Sequence, residues 1–438
     1  MVALPLMFGT FIQSLIGIID GAFVSHLGNI PYNAVGNGSI LYIALFMLCR
    51  GLADGTQIKI ANLLGQNKKS EIGALLFNAQ IMLLLLAGFL FILIFTLSPS
   101  FISWISESKD MGNAMTEFLT FRSWGLFFAA LQASLFAFFI GLGRTKIIIS
   151  ATLLMAVTNI SLDYGLIFGQ LGLPELGMKG AAIASSVSEM LTFLFLFFVA
   201  SKTKRFRKYH YHLRNKLNRP AIKNLMKMSL PLMGQGFVSL FTWLVFFSMI
   251  ERTGQTNLEV AHNIRYMYFL AFIPIFGFGS ATRTYVSNLS GANKTTQIPV
   301  VQRRIALLSF LTVLVVFHGA FLYPEFLIEC INKNPVNHDQ IISLSSQALT
   351  FVAGSILIYS ITVVPFQSVS ALGKTQLSFM IELLAIFLYL IGCYVFIELR
   401  GGNIIEVWWV EYIYFGTQGL FSLWYLLRNK QRLGLIST

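Results

Sequence analysis

The run IIISATLLMAVTNISLDYGLIF, residues 147–168, decides how the chain is read. As a helix rising about 1.5 Å per residue it is long enough to cross a hydrocarbon core of about 30 Å. Within it Asn159 and Asp163 stand four residues apart, so they lie one above the other on a single helix face. A bare carboxylate at membrane depth costs several kcal/mol and persists only against a partner, an ion or a water-filled cavity. That face is expected to hold a small cation.

Composition agrees with a membrane setting. Of 438 residues 56% are hydrophobic and only 11% charged, where soluble domains carry about 25% charged residues. Mean hydropathy is +0.72. Cys49, Cys330 and Cys393 show no paired spacing, which argues against a disulfide framework or a metal site. The net charge of +13 sits between apolar runs, so it orients the chain in a bilayer rather than binding nucleic acid. No Ser/His/Asp set, phosphate loop or metal-spaced group occurs among the six histidines, so neither an enzyme nor a cofactor is expected. Asp20 and the lack of an Ala-x-Ala-like site speak against a cleaved leader.

Further apolar runs fall at about 2–24, 37–60, 74–97, 118–140, 178–200, 226–250, 260–285, 304–323, 344–370, 376–398 and 404–427. With 147–168 they give an all-α membrane protein of twelve transmembrane helices. If the N-terminus is cytoplasmic, 21 basic residues lie in the cytoplasmic connections and tail and five on the opposite side. That bias places both termini in the cytoplasm.

The long polar connection after the sixth span is basic throughout, from Lys202 to Lys227, without one acid. It is expected to lie on anionic headgroups. The chain repeats across it. Leu4-Pro5-Leu6-Met7 returns as Leu230-Pro231-Leu232-Met233, and Gly65-Gln66-Asn67-Lys68 as Gly291-Ala292-Asn293-Lys294. Leu142-Gly143-Arg144-Thr145 returns as Leu372-Gly373-Lys374-Thr375. The expected organisation is an N-terminal lobe 1–200, a basic cytoplasmic linker 201–225 and a C-terminal lobe 226–438. Six spans per half make this a parallel repeat, with a cavity expected between two lobes that rock against each other.

Several stretches resemble one family, the multidrug and toxic compound extrusion (MATE) transporters. They are LPLMFGTFIQSLIGIIDGAFVSHLG (4–28), GLADGTQIKIANLLGQNKKSEIG (51–73), NISLDYGLIFG (159–169) and GMKGAAIASSVSEM (177–190). The resemblance implies an antiporter in the cytoplasmic (inner) membrane of a bacterium. It would export small amphipathic or cationic compounds in exchange for Na⁺ or H⁺, as a monomer. It further implies a cation site in the N-terminal lobe, matched here by Asp20, Asn159, Asp163, Ala181 through its carbonyl, and Ser185. The last stands where a Thr is usual and keeps the hydroxyl oxygen. If sodium is the coupling ion, Asp20, Asn159 and Asp163 are the metal ligands.

Carboxylate, amide, hydroxyl and carbonyl oxygens suit an alkali cation, or a proton shared between two acids, and do not suit zinc or iron. Shifted by the repeat, Phe246, Tyr389 and Cys393 replace Asp20, Asn159 and Asp163, so coupling is expected in the N-terminal lobe only. The spans that carry acids in another branch of the family hold Ser239 and a position near Tyr359, so that site is expected to be absent. Glu382 is the one acid of the C-terminal lobe that runs against this asymmetry. Glu189 either extends the cation network or pairs with Arg122, and Arg50 with Asp54 reads as an ion pair. Gln13, on the face of Asp20, and Trp243 are the substrate-binding candidates, since aromatic walls attract organic cations. The alternatives are a flippase for lipid-linked oligosaccharides and, from another class, a membrane scaffold or receptor.

Overall fold

The computed structural model describes residues 2–105, 108–204, 206–211, 216–331 and 338–436. Among them the regular structure is helical. In chain order the helices are α1 (Ala3–Ser25), α2 (Asn29–Gly65), α3 (Lys69–Ile105), α4 (Lys109–Ser123), α5 (Gly125–Gly141), α6 (Lys146–Phe168), α7 (Met178–Lys202) and α8 (Arg219–Glu251). There follow α9 (Gln255–Gly291), α10 (Ile298–Phe317), the short α11 (Gly319–Leu322) and α12 (Pro324–Ile331), α13 (His338–Ala371), α14 (Thr375–Cys393), the four-residue α15 (Ile404–Val407) and α16 (Trp409–Arg428).

Ten of these are long and apolar enough to cross a membrane, and α4 with α5, bent by 48°, forms an eleventh span. The expected twelfth falls on α16, whose Glu411, Tyr412, Tyr414 and Gln418 lower its apolarity. Several helices outrun the apolar runs that announced them. At 37 residues, α2 and α9 are each about 55 Å long, so their polar ends continue past the hydrocarbon. On α3, Leu85, Phe89, Ile92 and Phe95 share one exposed face, a surface that water would reject and acyl chains accept.

The repeated sequence motifs mark equivalent helix ends. Asn67 (φ 60°) and Asn293 (φ 56°) adopt the left-handed conformation, and so do Gly143 (φ 67°) and Gly373 (φ 78°). In each case the next residue's N–H closes back onto the helix: Lys68 to the Leu63 carbonyl at 2.9 Å, Lys294 to Leu289 at 2.9 Å, Arg144 to Phe139 at 2.8 Å and Lys374 to Val369 at 3.2 Å. This cap needs a residue that tolerates positive φ, hence Asn or Gly at those four places.

The chain divides into two compact units, Met1–Phe237 and Val238–Thr438. The division falls inside α8. In the first unit α1 packs on α6, α6 and α5 on α7, and α2 on α4 and α5. The first half of α8 joins them, and Gly51 and Gly55 of α2 allow its close approach, since a Cβ there would strike the Met233 backbone and Ser229. In the second unit α13 packs against α9, α10 and α16, and α14 against α16.

The basic linker is more than a headgroup anchor. Phe206, Tyr209 and Tyr211 are buried in the first unit, ringed by Phe138, Phe139 and Phe197. The Tyr211 hydroxyl donates to Gln80 Oε1 at 2.7 Å, and the Asn218 N–H donates to Asn78 Oδ1 at 3.0 Å. The aromatic residues between the lysines and arginines carried this signal. Basic residues Arg205 and Arg214 lie outside the described residues.

Candidate functional site

Asp20 sits on α1 and Asp163 on α6, and the packing of these helices brings the two carboxyl groups within hydrogen-bonding reach of each other. Asn159, one turn earlier on α6, is buried with Asp163 at 1% and 0% exposure, while Asp20 is half-buried. Ionised carboxylates are acceptors only, so a bond between the two needs one proton. Both Asp163 oxygens, Asp20 Oδ1 and both polar atoms of Asn159 are buried without a hydrogen-bond partner among the described residues. Buried polar groups are nearly always paired. A cluster of orphaned hard oxygens is therefore the arrangement that a proton or an alkali cation completes.

Ala181 of α7 lies in one apolar cluster with Val24 and Ile167, each one turn beyond Asp20 and Asp163. The α7 backbone comes close here, because a Cβ on Gly180 would meet the Leu166 carbonyl at 2.6 Å. Since α7 follows α6 through a short turn and runs back along it, Ser185 falls one turn from Ala181, at the level of the acid pair. Ser185 is half-buried.

A second polar group adjoins the pair. Arg122 at the end of α4 forms a two-pronged ion pair with Glu189 of α7, with Nη1 at 2.9 Å from Oε2. Its guanidinium lies 4.0 Å from the centre of the Tyr42 ring. Arg122 and Glu189 both act electrostatically on Asp20. Glu189 thus takes the second of its two expected roles. Gly125 makes room for this pair, since a Cβ there would collide with Arg122 and with Ser186. Tyr42 gave no sign of its part in the sequence, because a tyrosine in an apolar run usually packs.

The other expectations fare unevenly. Arg50 and Asp54 pair at 4.0 Å. Gln13 is exposed on α1. Trp243 is packed edge-on against Phe247, Tyr268 and Phe269, with centroids 5.1, 6.4 and 6.1 Å away.

Glu382, the acid that runs against the expected asymmetry, is buried in the second half. Phe246, Tyr389 and Cys393 do occupy the shifted positions and are buried. Yet Glu382 of α14 and Glu411 of α16 are also buried, at 1% and 4% exposure. Ser239, read as a lost site, donates to Glu382 Oε1 at 2.5 Å. The Tyr414 hydroxyl donates to the same oxygen, and Gln418 Nε2 to Glu382 Oε2 at 2.7 Å. Tyr389 donates to Glu411 Oε1 at 3.2 Å. Shifting the repeat points to neither acid, because they lie on helices whose first-half counterparts carry none at those positions, and Glu411 goes unremarked. An acid inside an apolar run was itself the signal.

Known proteins share this organisation. The MatE family model matches residues 5–165 and 217–395, on either side of the linker. A probable multidrug resistance protein NorM of Thermotoga maritima is 27% identical over 348 residues, which is 78% of this chain and 73% of that protein. A Bacillus subtilis protein of the same name is 27% identical over 234 residues, 53% of this chain and about half (51%) of its own length. Among solved structures, a MOP superfamily transporter from Pyrococcus furiosus superposes with a TM-score of 0.89 at 19% identity, covering 100% of this chain and 96% of its own. The Vibrio cholerae MATE transporter VcmN in its bent form gives 0.87 at 16% identity, with 99% and 97% covered. The membrane-length helices, the paired turn motifs and this match across both halves place the chain in the MatE family, as a multi-pass membrane transporter and not an enzyme.

Proposed function

We propose that this protein exports small amphipathic or cationic compounds, drugs among them, in exchange for Na⁺ or H⁺ moving inward. The observation that carries the reading is the set of orphaned buried oxygens on Asp20, Asn159 and Asp163. With Ser185 and the Ala181 carbonyl at the same end of α7, they form a site of hard oxygen donors and no soft ones. The names of the NorM relatives support drugs as cargo.

In this account the acid pair loads a cation or a proton from outside and releases it inside. Uptake of one positive charge cancels the charge that two facing carboxylates cannot both keep. The lobes 1–200 and 226–438, joined by the linker 201–225, alternate access around the cargo, with Gln13 and Trp243 as candidate contacts. The excess of basic residues on one side supports cytoplasmic termini in a bacterial inner membrane. A single chain suffices for the cycle. The flippase alternative calls for several arginines free to hold phosphates, whereas Arg122 is tied to Glu189 and Arg283 donates to Gln367.

Replacing Asp163→Asn keeps the shape and removes the charge. The variant is expected to insert normally and to lose cation-driven efflux in vesicles. Transport at the wild-type rate would remove Asp163 from the coupling site.

A further inference from the structure

The acid site of the second unit takes no part in that account, and it is built differently. Glu382 is 1% exposed and receives three hydrogen bonds from two other helices. Ser239 of α8 and Tyr414 of α16 both donate to Oε1, and Gln418 of α16 donates through Nε2 to Oε2. Three of the carboxylate's about four lone-pair directions are thus filled by hydrogens, which leaves little open face for a metal ion. A proton needs no such face. The ionisable groups around it are Tyr414 of α16 and Tyr359 of α13. Glu411 of α16 and Arg283 of α9 act on Tyr359 rather than on Glu382, and the third tyrosine, Tyr389 of α14, is bonded to Glu411. Among the described residues no basic side chain acts on Glu382.

A second observation points to the same ligand. Gln418 is 2% exposed, and its Oε1 has no hydrogen-bond partner among the described residues. An amide beside a carboxyl group can serve both of its forms. Its N–H donates to the ionised carboxylate, and after a half-turn its oxygen accepts from the neutral acid. The orphaned oxygen is the partner that a protonated Glu382 would use.

We propose that Glu382 is a second proton-binding site of this transporter, and that Gln418 switches from donor to acceptor when the proton arrives. The proton comes from water and forms an O–H bond at Oε2, no other bond breaks, and the site becomes neutral. Oε1 then is a carbonyl oxygen, a weaker acceptor than a carboxylate, so its bond to Ser239 loosens. Ser239 lies two residues past the division between the units, on the helix that runs through it. Proton binding thereby reports to α8. The site does not depend on Asp20 and Asp163 being the coupling pair.

Infrared difference spectra of the full-length protein in lipid vesicles, recorded between alkaline and acid pH, test this directly. Wild-type protein is expected to gain a protonated-carboxyl band on acidification that Glu382→Gln removes and Asp163→Asn leaves in place. Ser239→Ala removes one donor to the ionised form, so proton binding at this band should tighten about tenfold and its midpoint move to higher pH. A Glu382→Gln spectrum that superposes on wild type overturns the proposal. Should that variant fail to insert, an unmoved midpoint in Ser239→Ala overturns it equally. If the Glu382 band behaves as described while Asp163→Asn still transports normally, the coupling assignment falls and this site stands.

Discussion

The two units answer the same problem, a carboxyl group sealed away from water, in opposite ways. In the first, carboxylate and amide oxygens of Asp20, Asn159 and Asp163, and the Asn159 amide nitrogen, are buried with no hydrogen-bond partner among the described residues. In the second, Glu382 has three donors aimed at it. The first arrangement is incomplete until something positive enters. The second is complete as it stands and has a spare acceptor, Gln418 Oε1, for one further proton. The duplicated scaffold kept its turns, since Asn67 matches Asn293 and Gly143 matches Gly373. Its polar interiors diverged. Backbone geometry constrains a cap to Asn or Gly, whereas a buried acid can move to any neighbouring helix that supplies partners.

The contrast can be broken first at Arg122. This charge balances Glu189 beside Asp20, and among the described residues the second unit has no counterpart acting on Glu382. Arg122→Ala leaves Glu189 buried and uncompensated, so stability should fall by about 3–5 kcal/mol. Thermal unfolding in detergent would register this. The double change Arg122→Met with Glu189→Leu should recover most of the loss.

At Gly125 the same pair is probed by crowding. Gly125→Val pushes a side chain into Arg122 and Ser186, and a loss of about 1–3 kcal/mol is expected. An unchanged melting temperature would mean that α4 and α5 can open their bend at no cost. In the second unit, Tyr414→Phe deletes one of three donors to Glu382. The expected loss is about 2 kcal/mol, smaller than at Arg122 because Ser239 and Gln418 remain.

The smallest effect lies outside both acid sites. Tyr211→Phe removes the bond to Gln80 and should cost about 1 kcal/mol. Burial pushes the Tyr211 phenol up from 10.0 to about 12. The folded state then holds its proton more tightly than the unfolded chain. Stability from this group is complete below about pH 10 and is lost as pH rises toward about 12. Tyr211→Phe should flatten that part of the alkaline unfolding profile.

Much of this was legible in the sequence, for physical reasons that differ by residue. Apolar runs had to be helices because nothing else satisfies the backbone in lipid, and Asn159 with Asp163 announced itself by the cost of its burial. Helix ends were not legible, since α2 and α9 continue past their apolar stretches into polar sequence. Glu411 and Gln418 were overlooked inside a last span made less apolar by its tyrosines. The docking of Phe206, Tyr209 and Tyr211 was hidden by the charges around them, which drew the reading to headgroups. Partners far apart in the chain, such as Ser239 and Glu382, need the fold before they can be matched.

The most direct test imposes a Na⁺ gradient and a pH gradient separately on vesicles that hold the purified transporter and a cationic dye. Wild-type protein should drive dye movement with at least one gradient, and Asp20→Asn and Asp163→Asn should each abolish that response while dye binding persists. Gradient-driven transport at the wild-type level in both variants would contradict the assignment of the coupling ion to the Asp20–Asp163 pair.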